Sequence, residues 1–280
     1  MLELSRRALT RPEEQVGNPI WETLDELESE LGDWEVAPED TLVVDEEDGR
    51  VVGLGGVEIS PGWEHADLFG PLVSPQYRGQ KLGSKLLDAS LDLARRHEAR
   101  KLVGSVGAHN AGIRMLLEGA GFRARGGARA VFRMEHGDHR PLEEGPAGVQ
   151  VRRATPADLQ AALELYHACF PDGAFPDEAW RKSLEVGTVW LAGEHGRPLA
   201  FLNIDPSDRW AYQIGVVESE RARGVGRYLF SVAVEDYWRD HPGEMLGLAV
   251  EMDNMPSLRM LHRQGFAPWL TLQPYELKLV

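Results

Sequence analysis

Val216-Val217-Glu218-Ser219-Glu220-Arg221-Ala222-Arg223-Gly224-Val225-Gly226-Arg227-Tyr228-Leu229-Phe230 reads as the end of a strand, a short glycine-bearing loop and the start of a long amphipathic helix. The pattern Arg221-x-x-Gly224-x-Gly226 sits at a helix start. There the first N–H groups have no intrahelical partner, and the helix dipole presents its positive end. Such a turn is a site for an anion such as a pyrophosphate.

The chain repeats this stretch. Arg78 precedes Arg221 by 143 positions, as Gly83 precedes Gly226. Asn110 and Asn254, Gly121 and Gly265, and Phe122 and Phe266 lie 144 apart, and Gly49-Arg50 and Gly196-Arg197 lie 147 apart. A shared order with shifts of a few residues indicates one domain duplicated, not a solenoid of ~20–50-residue repeats. Residues 137–148, rich in glycine, proline and acid, read as a linker between a first domain at 1–136 and a second at 149–280.

The elements expected of the two halves run in parallel. In the first, Leu24, Leu27 and Leu31 mark a helix ending at Gly32. Two strands then flank the turn Asp48-Gly49, and a third covers 63–73. A helix follows over 79–97 with Leu82, Leu86, Leu87, Leu91 and Ala94 as its stripe, then a strand at 102–106, a helix at 111–119 and a closing strand about Val131. In the second, Thr155-Pro156 caps a helix running to Cys169. A helix at 177–185, strands at 189–192, 199–204 and 210–217, the long helix from Gly224, a strand at 246–250, a helix at 255–263 and two closing strands complete it. The first twenty residues carry little pattern.

Composition removes several classes. A net charge of −15 argues against nucleic-acid binding. No apolar run approaches the ~20 residues needed to span a bilayer. The N-terminus lacks a secretory pattern, and the single cysteine, Cys169, pairs with no other in the chain; both fit a cytoplasmic protein. A dinucleotide fingerprint would need glycine where Leu229 stands, and Gly79 to Lys85 has the wrong spacing for a P-loop. His136 and His139 fall at the start of the linker region and make no metal pattern, so no metal is expected.

These residues resemble the GCN5-related N-acetyltransferases (GNAT), in tandem. The signature (Gln/Arg)-x-x-Gly-x-(Gly/Ala) is matched by Arg221, Gly224 and Gly226, followed by Asn254 opening a helix that ends at Gly265-Phe266. The first half offers Arg78 to Gly83, then Asn110 through Gly121-Phe122, with Lys81 in place of the first signature glycine. The resemblance implies an α/β (α+β) fold of two domains, each a mixed, mostly antiparallel sheet flanked by helices. It implies acetyl-CoA as co-substrate, an amine acceptor, and a strand splayed from its neighbour before each loop. By position the cofactor residues are Val216, Val217, Arg221, Ala222, Arg223, Gly224, Val225, Gly226 and Asn254. In the first half they are Leu72, Val73, Arg78, Gly79, Gln80, Lys81, Leu82, Gly83 and Asn110. The lysine marks the first copy as the weaker, so the second is expected to do the work.

The chemistry is less complete. The tyrosine that the family often places seven residues after the asparagine is Leu117 in one half and Leu261 in the other. A thiol has a pKa near ~8.5, so a thiolate leaves without an acid more readily than an alkoxide. Candidate bases are Glu251, Asp208 and Tyr212, with Glu64, His65 and Asp67 in the first half. Trp180, Trp190, Trp210 and Trp269 are candidates for lining a cationic acceptor's pocket. The expected function is acetyl transfer from acetyl-CoA to a primary amine, mainly in the C-terminal half; the alternative is a non-catalytic CoA-binding or scaffold protein built from degenerate copies.

Overall fold

The computed structural model describes residues 1–17, 21–33, 37, 42–59, 63–142, 144–171, 173, 175–206 and 209–279. Two compact units form: Met1–Ala130 with Glu251–Asp253 and Leu270–Val280, and Val131–Val250 with Asn254–Trp269.

The first unit runs α1 (Leu2–Thr10), α2 (Leu24–Asp33), β1 (Leu42–Glu47), β2 (Arg50–Glu58), β3 (His65–Val73), α3 (Leu82–Arg96), β4 (Lys101–Gly107), α4 (Ala111–Gly119) and β5 (Arg123–Ala124). β6 (Arg129–Met134) begins within it. Asp48 and Gly49 both take positive φ, as the tight turn between β1 and β2 requires. β1, β2 and β3 are antiparallel, whereas β3 meets β4 in parallel. The α3 stripe is buried as its spacing dictates, Leu86, Leu87, Leu91 and Ala94 all lying within the core. Each such leucine withdrawn from water contributes about 1.5–3 kcal/mol.

The second unit runs β7 (Val149–Arg153), α5 (Leu159–Cys169), α6 (Asp177–Glu185), β8 (Val189–Glu194), β9 (Arg197–Asp205), β10 (Trp210–Val216), α7 (Val225–Asp240), β11 (Leu246–Glu251) and α8 (Met255–Gln264). Its strands lie in the order β6-β11-β10-β9-β8-β7. β7 to β10 are antiparallel neighbours, and β10 meets β11 in parallel. Thr155 and Asp158 make a reciprocal capping box, and Asp158 also takes two hydrogen bonds from Arg152 at 2.6 and 2.8 Å. Ala162, Leu165, Tyr166, Trp180, Leu184 and Phe201 form the core beneath α5 and α6.

Three differences from the expected elements have physical reasons. α1 was hidden in the unpatterned start, although its buried residues Leu4, Ser5, Ala8 and Leu9 recur at helical spacing. The two expected closing strands are one, β12 (Ala267–Lys278), whose Leu272–Lys278 pairs antiparallel with the whole length of β4. Pro274 sits inside it without breaking it, and its carbonyl accepts a hydrogen bond from the Arg125 N–H. The helix expected from Gly79 starts at Leu82, since Gly79 and Lys81 take positive φ and stay outside it. Near the expected linker, the rings of His136 and His139 pack on Trp238 of α7, and the Leu142 N–H donates to Ser231 Oγ at 2.8 Å.

Candidate functional site

In the second unit, among the described residues, β10 and β11 pair only at Trp210 and Gly247. A side chain at 247 would strike the Trp210 ring, its Cβ coming within 2.5 Å, so the glycine lets that ring seat where the strands part. Beyond it they diverge, and among the described residues nothing pairs with the β10-facing edge of β11 past Gly247. The register of β10 against β9 shifts between Ala211 and Gln213, a one-residue bulge at Tyr212 that re-aims the strand.

The bulge and the antiparallel alternation decide which amides face the gap. Val217 stands among the expected cofactor residues, but its N–H is spent on the Leu199 carbonyl at 3.0 Å. Alternation then turns Val216 and Ile214 toward β11. The Val216 carbonyl receives Arg221 Nε at 3.2 Å, which ties the strand's end to the loop. Ile214 was not read from the sequence, because without the bulge its register is not fixed.

The loop leads into a helix N-terminus. Ala222 and Gly224 both take positive φ, and Gly224 is the N-cap of α7. The loop stands at the positive end of a helix of 16 residues, where the first N–H groups have no intrahelical partner. Arg221, Ala222, Arg223 and Gly224 are exposed, and Val225 is buried beneath them. Under the loop Glu220 is buried and paired with Arg197 at 2.6 Å and with Arg223. The hydrogen bond from Arg223, with that from Arg197, holds the Glu220 carboxyl below the usual carboxylate range against its burial. A Cβ at Gly226 would meet Val216 Cγ2 at 2.9 Å, so this glycine allows the strand end to lie against the helix.

The first unit has the same frame with different contents. Gly79 and Lys81 take positive φ, Lys81 as N-cap of α3, so each loop carries one glycine and one side chain in the left-handed region. Gln80 is exposed, Leu82 is buried and Gly83 has room around it. Arg78 Nε reaches the Val73 carbonyl at 3.0 Å, repeating the Arg221 contact. β3 and β4 pair from His65/Lys101 to Asp67/Val103 and then part, leaving Leu72 and Val73 beyond the divergence. Here the gap is filled. Val16 bridges Val106, the Gly17 N–H donates to the Ser105 carbonyl at 2.6 Å, and the Gly107 N–H donates to the Gln15 carbonyl at 2.7 Å.

Asn110 and Asn254 are the N-caps of α4 and α8, each accepting a backbone N–H at 3.2 Å. Leu117 and Leu261 are fully buried, so the faces that would carry the family's tyrosine are core. Glu251 is 53% exposed, stands 3.8 Å from Arg129 and groups with the first unit, whereas the exposed anion loop belongs to the second. Tyr212, at the bulge, is half exposed. Asp208 lies outside the described residues. Glu64 pairs with Arg100 at 2.9 Å, and His65 lies 3.5 Å from Asp67. Trp180 and Trp190 are core, and Trp269 holds Arg133 over its ring at 3.0 Å.

Two buried oxygens were not anticipated. Asn203 Oδ1 and Gln213 Oε1, on paired residues of β9 and β10, have no hydrogen-bond partner. Both lie on the face covered by α5 and α6, since Asn203 Nδ2 reaches Ser183 Oγ at 3.4 Å. Beside them Cys169 packs near Gly215, and burial pushes its thiol up against the opposing effect of Arg221.

Comparison with known proteins speaks to the family and the fold. The model of the acetyltransferase (GNAT) family matches residues 6–122 and again 158–266. The chain belongs to the GNAT family. It is a tandem member, with the fold matched in both halves. A GCN5-related N-acetyltransferase from Sphaerobacter thermophilus is 22% identical with a TM-score of 0.73, over 90% of this chain and 85% of that one. A tandem GNAT protein from the clavulanic acid biosynthesis pathway is 18% identical with a TM-score of 0.65, over 100% and 94%. A putative acetyltransferase from Pyrococcus horikoshii is 14% identical with a TM-score of 0.60, over 99% and 87%. At these identities the likeness speaks for the fold. No curated protein matches the sequence. Among the described residues no helix is long and apolar enough to cross a membrane.

Proposed function

We propose that this GNAT protein is a cytoplasmic N-acetyltransferase that moves the acetyl group of acetyl-CoA to a primary amine, working from its C-terminal half. The observation that carries the reading is the open splay of β10 from β11 running directly into the exposed loop at Arg221–Gly226. The loop amides would hold the pyrophosphate. The N–H groups of Ile214 and Val216 would hold the pantetheine arm and the thioester oxygen, where they also stabilise the oxyanion that forms when the amine attacks. The amine nitrogen bonds to the carbonyl carbon, the C–S bond breaks, and the sulfur leaves as thiolate. The proton lost by the ammonium passes to water in the splay, with Tyr212 beside it.

The buried leucines at 117 and 261 favour a second reading, a CoA-binding module without turnover. Titration calorimetry of acetyl-CoA against wild type and Gly226→Trp tests the site. Binding lost in a folded variant is expected, and unchanged affinity would overturn the assignment. Release of CoA thiol that depends on an added primary amine excludes the second reading.

A further inference from the structure

We infer that the N-terminal half carries its own stand-in for acyl-CoA: the segment Glu14–Gly17 fills the cleft between the parting strands that the C-terminal half leaves open, and its Glu14 pairs with the first arginine of the loop. The inference rests on the acetyl-CoA reading of the C-terminal half and concerns the other copy.

The strand topology places the segment. One edge of β4 is taken by β12 from Lys101 to Gly107. The other edge pairs with β3 only as far as Val103, so Ser105–Gly107 face the gap. Gln15 and Gly17 take up that free edge, and the Asn110 side chain donates to the Gln15 carbonyl at 3.3 Å. Val16 is 1% exposed and packs with Phe69 and Leu72 of β3, so the segment touches both diverging strands. Gly17 and Gly107 are the sequence's concession to this fit. A Cβ at 107 would lie 2.5 Å from the Gln15 carbonyl oxygen, and one at 17 would lie 2.7 Å from that of Ser105.

The charge is mimicked as well as the shape. Glu14 is 8% exposed, and its carboxylate receives Arg78 Nη2 at 2.6 Å and two hydrogen bonds from Arg7 at 2.7 and 2.8 Å. Arg78 is the counterpart of Arg221 in the anion loop, so a carboxylate neutralises the arginine that opens the loop. The frame around it remains that of an acyl-CoA site: the same two left-handed positions, the same arginine-to-strand contact and the same parting of strands. The cleft is closed by an occupant and not by collapse. Carboxylates at Asp45, Glu46 and Glu47 outnumber the single cation Lys85 in the lining of a small cavity beside Tyr77 and Gln80, so a vacated loop would hold phosphate less tightly than its twin.

Titration calorimetry of the full chain with acetyl-CoA tests this by stoichiometry. Wild type is expected to bind one equivalent, and Gly226→Trp none. The double variant Glu14→Ala, Gly17→Val loses the carboxylate and cannot seat against Ser105. It is expected to bind two equivalents, the second more weakly, and to keep one when Gly226→Trp is added. Two equivalents in wild type, or a folded double variant that binds only one, would overturn the inference. If the double variant does not fold, amide hydrogen exchange on wild type decides: Gly107 protected equally with and without saturating acetyl-CoA supports the occupant, and Gly107 freed by acetyl-CoA refutes it. Wild type that binds none refutes the acetyl-CoA reading itself, a result distinct from either.

Discussion

Alanine at Gly226 and at its twin Gly83 should have opposite effects. Both residues lie in the first turn of their helices, where Gly→Ala by itself gains roughly 0.5–1 kcal/mol. At Gly83 the new methyl meets Leu116 at 3.5 Å and Val73 at 3.8 Å, ordinary contacts. Gly83→Ala should therefore raise Tm by about 2–4 °C and leave acetyl-CoA affinity unchanged. At Gly226 the methyl meets Val216 Cγ2 at 2.9 Å. Val216 is β-branched and stiff, so the strand end must give, at about 1–3 kcal/mol of overpacking. That cancels the helix gain and turns the Val216 N–H out of line. Losing one hydrogen bond to a charged or polarised ligand group is worth about 1.5–3 kcal/mol, or ten- to a hundredfold in Kd. Titration calorimetry with circular dichroism on both variants is the assay. Equal affinity for the two folded variants would refute the claim that the Val216 strand end forms the binding edge.

Three further outcomes follow from the structure. Gln213→Met removes a buried, unpartnered oxygen while keeping shape; stability should rise by about 1 kcal/mol or more, and a lower Tm would show that the oxygen is paired in solution. Gly215→Ala drives a methyl into the Phe201 ring and against Cys169, so a loss of about 1–3 kcal/mol is expected in urea melts; an unchanged midpoint would contradict the packing of α5 on β10. For acid stability the sign follows from Asp158, whose carboxyl is held well below the usual range by Arg152 and the Thr155 cap. The unfolded chain binds more protons there, so this contribution is complete above pH ~4 and fades as pH falls toward the lowered folded value. Asp158→Asn should cost about 1 kcal/mol at pH 7 and flatten the acid limb of stability against pH; an unaltered slope would count against the pairing.

Much of the frame was legible because it depends on local chemistry. The left-handed turn at Gly49, the helix start at Gly224, the stripe of α3 and the asparagine caps at 110 and 254 each have a reason within a few residues of sequence. What escaped depends on pairing at a distance. The bulge at Tyr212 decides that Val216 and Ile214, and not Val217, face the splay, and nothing near Tyr212 announces it. Glu14 looked like one acid among 45 Asp and Glu, and only the fold brings it to Arg78, 64 positions away. The buried oxygens of Asn203 and Gln213 likewise arise from strand register.

The central claim is most directly tested by following CoA thiol release from acetyl-CoA with a panel of primary amines, in wild type, Gly226→Trp and Lys81→Trp. The account predicts amine-dependent release by wild type and Lys81→Trp, and none by Gly226→Trp. Release that survives Gly226→Trp, or that no amine elicits from wild type, would contradict it.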